Sequence, residues 1–414
     1  MSKYGLSSVL LLLAVGLPVE ASIDAAALAE LQQAQAGEAV DQQPLAEAWQ
    51  TVAAADLEDL DQLLSAFDGA TPLGENWLSL AVDRVLQRAA AQGQAVPLPL
   101  LASFVGDPSN GGRARETALE LLREHDAELA AQTVERLMED PVARLRRPAV
   151  EALWQRAEAE EDDEAKRQLL RQMFDVALDE DHIIRSAVAL RELGEPQDHI
   201  RKFGFLMHWQ VIGPFDYKDG EGFEEAYTPE ALDFTNYEGE RGIYAETEHP
   251  GKDGPVQWKA YVNTARNGVV DLNTAIEELR DVVAYGATVY ESPREQDVQL
   301  RLRQQNAAKL WLNGELVFSQ PVGHTGNFFD QYTVPVTLRK GPNLIVVKSC
   351  QMAGPVEHPF VKAWQFCVRV TDATGNAVLA QNRPPTPELD ALPTAKGEAD
   401  EATDDEPESD EETS

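Results

Sequence analysis

The amino-acid sequence predicts a multidomain protein of the α-then-β class, with a helical domain, an all-β sandwich and an acidic C-terminal tail. Three observations predict this order. Apolar residues recur at three- and four-residue spacing in the first half of the chain, they alternate with polar residues in the second half, and hydrophobic residues become rare near the end. We expect four segments: a signal peptide at 1–21, the helical domain at 22–203, the sandwich at 204–382 and a disordered acidic tail at 383–414.

The composition limits the classes of partner. The 414 residues include 71 Asp and Glu against 35 Lys and Arg, which gives a formal net charge of −36. A nucleic acid backbone attracts a cationic surface, so we expect no nucleic acid partner. A length of 414 residues allows two or three domains, each with its own core.

The first 21 residues predict export. Lys3 supplies a positive start, Leu6 to Leu17 form a short apolar run, and Ala21 is a small residue at the expected cleavage position. The alternative is an N-terminal membrane anchor. The apolar run is shorter than the ~20 residues that span a bilayer, and Pro18 ends it, so we expect cleavage, no membrane span and a periplasmic or secreted protein.

Residues 22–203 are rich in strong helix formers, and part of this region repeats. An Asp precedes an Arg on the next helix three times, and these Arg residues are 31 and 39 positions apart: Asp107 and Arg115, Asp140 and Arg146, Asp181 and Arg185. Spacing of this size is typical of two-helix solenoid units. Residues 97–195 resemble HEAT-like repeats, which implies a solenoid that presents an extended surface to a protein partner. An irregular helical bundle is the alternative.

The second half predicts many short strands. Residues 297–303 alternate strictly, with Val298, Leu300 and Leu302 on one face, and Asn313-Gly314 lies between two apolar runs as in a tight hairpin. About eight such runs separated by Gly and Pro turns indicate an all-β sandwich, specifically a jelly roll.

Three motifs in order add a resemblance to a known family. They are Trp-Gln-Val-Ile-Gly-Pro-Phe at 209–215, Lys-Leu-Trp-Leu-Asn-Gly at 309–314, and Leu-Arg-Lys-Gly-Pro-Asn-Leu-Ile-Val-Val-Lys at 338–348. Together they resemble the galactose-binding-like β-sandwich modules of bacterial envelope proteins and glycoside hydrolases. The resemblance implies a module that binds carbohydrate or has a purely structural role.

No nucleotide-binding loop, hydrolase elbow or zinc motif is present, so we expect no catalytic residue, no cofactor and no metal site. An acidic loop at 216–225 leaves calcium binding as an open alternative, although its spacing is not that of a Ca²⁺ loop. Aromatic and polar side chains outside the structural motifs are the candidates for contact with a sugar: Trp258, Trp364, His324 and Asn327.

The two cysteines, Cys350 and Cys367, lie on the last two predicted strands. Alternation places both on the outward side of their strands, and antiparallel neighbours would bring the sulfur atoms together. We therefore predict a disulfide, which an exported location permits. Two unpaired thiols are the alternative.

The sequence thus favours an exported, non-catalytic binding or scaffold protein, in which the solenoid binds a protein and the sandwich binds carbohydrate. The alternative is a polysaccharide-active enzyme or an accessory subunit of one. It would need paired carboxylates, whose separation in space the sequence does not show.

Overall fold

The computed structural model describes residues 23–35, 42–231, 248–323, 325–353 and 362–388. In these ranges helices come first and antiparallel strands second, which confirms the predicted α-then-β order. The predicted signal peptide and the acidic tail from residue 389 onward lie outside the described residues. The chain divides into two compact units, the first ending at Ala152 and the second beginning at Leu153.

The first unit is helical. Its helices are α1 (Ala25–Gln32), α2 (Gln42–Val52), α3 (Leu60–Ser65), α4 (Pro72–Ala91), α5 (Leu98–Gly106), α6 (Gly112–His125), α7 (Ala127–Val134) and the first part of α8 (Ala143–Ala159). Local sequence explains their ends. The Thr71 hydroxyl, for example, accepts a hydrogen bond from the Gly74 amide at 3.0 Å, and Pro72 occupies the first turn of α4, where its missing N–H costs nothing.

Three of the repeated Asp and Arg residues meet inside this unit. The buried Arg115 guanidinium donates to both carboxylate oxygens of Asp140, and its Nε donates to the Val105 carbonyl at 2.8 Å. Nε of Arg146 donates to the Asp140 carbonyl at 2.7 Å. The Asp of one predicted repeat therefore contacts the Arg of the preceding repeat and its own Arg. The ion pair and these hydrogen bonds offset the desolvation cost of burying the charged groups.

In the second unit, α9 (Asp163–Val176), α10 (Glu180–Glu192) and α11 (His199–Phe203) precede the antiparallel strands. The short helix α12 (Leu272–Ala275) lies between the fifth and sixth strands. The strands are β1 (His208–Asp216), β2 (His249–Pro250), β3 (Pro255–Val256), β4 (Lys259–Val262), β5 (Val270–Asp271), β6 (Val282–Ser292), β7 (Gln296–Gln304), β8 (Ala308–Leu312), β9 (Glu315–Gln320), β10 (Tyr332–Leu338), β11 (Gly341–Gln351) and β12 (Gln365–Thr371).

Two sheets share one core. The six-stranded sheet has the order β4-β1-β6-β11-β8-β9, the four-stranded sheet has the order β10-β7-β12-β5, and β2 and β3 form a separate pair. Inward-facing residues of both sheets pack together, including Val298, Leu300 and Leu302 on β7 as their alternation predicts. The predicted hairpin at Asn313-Gly314 joins β8 to β9, with both residues at positive φ (54° and 84°).

The outer face of the six-stranded sheet is covered by the chain from Phe215 to Glu230. Lys348 on β11 is fully buried there, and its Nζ donates to the carbonyls of Phe223 and Glu225 and to Glu230 Oε1 at 2.8 Å. Trp311 belongs to the same outer cluster. The three acceptors offset the cost of burying an ammonium group, and they attach this covering segment to the sheet.

The outer face of the four-stranded sheet carries cations and packs on helices of the same unit. Arg303 on β7 pairs with Glu180 on α10 at 2.7 Å, and Arg369 on β12 pairs with Asp330. Phe329 packs against Phe203 at the end of α11, with ring centroids 5.3 Å apart. The change of hydrophobic period at 203/204 is therefore not where the second compact unit begins, because α10 and α11 contact its sheet.

The predicted disulfide is wrong. Cys350 and Cys367 are both free thiols. They do lie on the outward sides of β11 and β12, but these strands belong to different sheets, so the two side chains point away from each other on opposite outer faces. Alternation identifies the face of a strand and does not identify its sheet.

Candidate functional site

A groove lies along one edge of β6, where two different chain segments form hydrogen bonds with successive parts of this strand. From Gln210 onward β1 pairs with β6, starting opposite Ala287. Further along β6 the partner is a later segment. The Gln381 amide donates to the Glu291 carbonyl at 2.9 Å, and the Asn382 side chain accepts from the Glu291 amide and donates to the Val289 carbonyl, both at 3.0 Å. The junction between β1 and this segment leaves an opening, which we call the seam groove.

The seam groove has a volume of about 330 Å³. Its floor consists of β1, β4 and β6, and its wall is the proline segment, residues 380–387. Apolar and aromatic residues such as Tyr261 and Val262 line much of it, together with a few polar side chains. A concave, mainly apolar lining with a small number of polar groups is typical of small-molecule sites.

Arg383 attaches the proline segment to the body of the second unit. Its Nη1 donates to the Phe205 carbonyl at 2.8 Å and its Nη2 to the Ile200 carbonyl at 3.4 Å. The Thr386 hydroxyl donates to Asp198 at 2.6 Å. Residues 383–388 fall in the predicted disordered tail, but side-chain hydrogen bonds hold this stretch against the second unit. These bonds offset the entropy of ordering a polar, proline-rich segment.

Two polar side chains on β1 face this site. The Gln210 carboxamide is half-buried and makes no hydrogen bond to any other described residue. His208 is half-buried, and within the described part of the chain its Nε2 is buried without a partner. Burial, and secondly the positive charge of Arg383, lower the pKa of His208. The imidazole is therefore uncharged at neutral pH and offers one donor and one acceptor.

The residues predicted to contact a sugar are not brought together. Trp364 is 0% exposed in the core between the sheets, where its indole N–H donates to the Ser349 carbonyl at 3.2 Å. Trp258 is 4% exposed in the outer cluster beside Trp311. Neither ring presents a face at the surface, so the predicted stacking by these two residues is not what the structure shows. Asn327 is exposed, and His324 lies outside the described residues.

The acidic loop at 216–225 does not collect its carboxylates around a common point. They pair with separate lysines instead: Asp216 with Lys252 at 3.1 Å, Glu225 with Lys218 at 3.0 Å, and Glu224 with Lys309 at 2.7 Å. Throughout the described ranges, no group of three or more His, Cys, Asp or Glu side chains is arranged to hold a metal ion.

Sequence reasoning missed the seam groove. Gln210 falls within the structural motif at 209–215, and Arg383 and Thr386 fall within the predicted tail. The available signal was weak: a polar His208 and Gln210 on the outward side of an otherwise apolar strand, and a Pro-rich stretch that follows the last strand. Among the helices of the described residues, none is long and apolar enough to span a membrane.

Comparison with known proteins does not assign a family. No family model matches the chain, and no curated protein matches it. Solved structures that match include a β-glucosidase from Kluyveromyces marxianus in complex with glucose (20% identity over 28% of this chain and 14% of that chain, TM-score 0.21) and a β-glucuronidase from an uncultured Clostridium sp. (13% identity, 41% and 28%, TM-score 0.23).

A selenomethionine-labelled β-glucosidase from Kluyveromyces marxianus matches 64% of this chain and 36% of that chain, with 13% identity and a TM-score of 0.24. The chain thus covers about a third or less of the length of the first two structures and little more than a third of the last. Similarities at this level carry no argument about the fold or the activity of this protein.

Proposed function

We propose that this is an exported, non-catalytic binding protein. Its β-sandwich, with jelly-roll topology, binds carbohydrate in the seam groove, and its helices form a HEAT-like solenoid that binds a protein partner. The observation that carries the proposal is the chemistry of the groove lining, in which apolar surface lies next to polar side chains that have unused hydrogen-bonding capacity.

A sugar ring matches this lining. It has apolar C–H faces, which pack on an apolar surface such as Val262, and a rim of hydroxyl groups that both donate and accept hydrogen bonds. Val262 is 44% exposed, lines the groove and pairs with His208 across β4 and β1. Gln210 offers two donors and one acceptor, and neutral His208 offers one of each. Because β1 and the proline segment hold these side chains in place through hydrogen bonds to the sheet, the site needs little ordering when a ligand binds.

The lining also favours binding over hydrolysis. None of the described residues that line the seam groove is an Asp or a Glu. Hydrolysis of a glycosidic bond commonly requires two carboxyl groups on either side of the scissile bond. A groove with this lining could retain a sugar and would lack the groups that cleave it.

The proposal for the helices rests on the Asp and Arg residues of the repeat. Arg115 donates to the carboxylate of Asp140 in the following repeat, and Arg146 donates to the backbone carbonyl of the same Asp. These contacts join one helical pair to the next, as in a stack of repeats. Stacking of this kind leaves an extended face, which in solenoids is used for protein partners.

A glycan array followed by calorimetry tests the carbohydrate proposal. We expect at least one class of oligosaccharide to bind the intact protein with a 1:1 stoichiometry. Ala260→Trp should abolish this binding, because Ala260 is exposed on β4 and lines the groove, and an indole there would fill the groove. Lys259→Trp is the matched control, since Lys259 is exposed on the same strand and is not part of the lining.

Equal binding by wild type and Ala260→Trp would place the sugar elsewhere and contradict the proposed site. Release of reducing ends from the bound oligosaccharide would contradict the non-catalytic function. Pull-down from an envelope extract tests the helical partner, with Glu120→Ala as a variant at an exposed position of α6.

A further inference from the structure

We infer that the seam groove selects carbohydrate that carries a carboxylate, that is, a uronic-acid unit whose carboxylate is held by Arg383. This inference rests on the proposed carbohydrate-binding function and goes beyond it by naming the class of sugar.

The charge of the lining is the first argument. Arg383 lines the groove together with His208, and the described lining contains no carboxylate. A guanidinium group stays protonated at physiological pH. The groove is therefore a locally positive site on a chain whose formal net charge is −36.

The bonding of Arg383 is the second argument. Two of its five N–H groups donate to the carbonyls of Phe205 and Ile200, which hold the guanidinium in a defined orientation. Three N–H groups remain, and no carboxylate among the described residues forms an ion pair with them. A guanidinium with donors to spare binds a carboxylate in the two-point geometry that suits this pair of groups.

Asp198 is the nearest competing anion, and it is already engaged. Its carboxylate accepts a hydrogen bond from the Arg201 amide at the start of α11 and another from the Thr386 hydroxyl. It also lies on the side of the proline segment that contacts α11, and it does not line the groove. Its negative charge reduces the positive potential of Arg383 without occupying the remaining donors.

His208 is placed to assist. It lines the same groove as Arg383, whose positive charge acts on the imidazole, and its Nε2 is buried with no described partner. A neutral imidazole supplies one N–H donor, which a carboxylate or a ring hydroxyl accepts. Neutral sugars would leave the three free N–H groups of Arg383 with water or with hydroxyl groups, which accept more weakly than a carboxylate.

The test uses the full-length protein and matched pairs of oligosaccharides. The probes are galacturonate, glucuronate and mannuronate trisaccharides, each compared with its methyl ester, which has the same ring and linkage and no charge. Calorimetry measures both dissociation constants. We expect one acid form to bind at least tenfold more tightly than its ester.

Two variants connect this preference to the groove. Arg383→Gln should remove the tenfold preference while weak binding of the ester remains. Because Arg383 also attaches the proline segment, Gln210→Glu provides a second test that leaves those hydrogen bonds intact: the new carboxylate should repel the acid form and spare the ester. Gln299→Glu, on the other sheet, is the control for net charge.

The outcomes separate this inference from the proposed function. If an ester binds as tightly as its acid, the charge preference is wrong and carbohydrate binding stands. If no oligosaccharide of the array or of these pairs binds, both are wrong. If Gln210→Glu and Gln299→Glu weaken the acid form equally, the selectivity arises from the overall charge and not from the groove, which also overturns the inference.

Discussion

Arg303 and Glu180 form a 2.7 Å ion pair that joins strand β7 to the beginning of helix α10. The Arg303 side chain is only 10% exposed, and its Nε is buried with no partner among the described residues. The pair is one contact that places α10 in the second compact unit, which begins at Leu153 and not at the change of hydrophobic period near residue 203. Helices α10 and α11 belong with the sheets because charged and aromatic side chains of the four-stranded sheet need them as partners.

Glu180→Ala should lower the free energy of unfolding by about 1–3 kcal/mol, because it leaves a largely buried guanidinium without its carboxylate. Urea unfolding monitored by circular dichroism measures the change. Glu192→Ala is the control, since Glu192 is exposed at the other end of α10 and has no described partner. Equal stability of both variants would show that the ion pair does not hold α10 to the sheet.

The two cysteines should remain reduced. Burial raises the pKa of the Cys350 and Cys367 thiols to about 12, so neither is a thiolate at neutral pH and both should react slowly in the folded protein. Titration of the denatured protein without a reducing agent should find two thiols per chain. A result of zero thiols would restore the disulfide that the alternation of residues predicts.

Trp364→Phe should affect stability and leave ligand binding unchanged. The substitution removes the hydrogen bond from the indole to the Ser349 carbonyl and opens a small cavity in the core between the sheets, at a cost of about 1–2 kcal/mol. Thermal unfolding and calorimetry with the same oligosaccharide measure the two effects. A loss of affinity with unchanged stability would indicate that Trp364 contacts the sugar after all.

Binding of an acidic sugar should strengthen as the pH falls. Burial and the charge of Arg383 lower the pKa of His208, so in the free protein this imidazole is neutral above its folded pKa and becomes a cation below it. The charged or titratable groups around it are Arg383 and Tyr261 in the groove, Tyr290 on β6 and Asp198 beyond the proline segment.

A bound carboxylate favours protonated His208, so we expect about a threefold gain in affinity between pH 7.5 and 5.5. The same protonation works against folding of the free protein: a lowered folded pKa means that the contribution of His208 to stability is present above its unfolded pKa and is lost as the pH falls through the folded pKa. His208→Gln should remove the gain in affinity. If the gain persists in that variant, another group is responsible.

Local patterns predicted those parts of the fold that depend on neighbouring residues. The Asn313-Gly314 hairpin and the inward face of β7 both follow from spacing along the chain. The seam groove does not, because its wall and its floor are far apart in sequence: Arg383 donates to a carbonyl 178 positions earlier. The cysteines show the same limit, since alternation predicts the face of each strand but not the sheet to which it belongs.

A crystal structure of the protein with the strongest ligand from the glycan array tests the central claim most directly. We expect an uncleaved oligosaccharide in the seam groove, with one ring against Val262, a hydroxyl group within hydrogen-bond distance of the Gln210 carboxamide and the reducing end intact. A ligand bound anywhere else on the protein, or a groove that contains only the products of cleavage, would contradict the account.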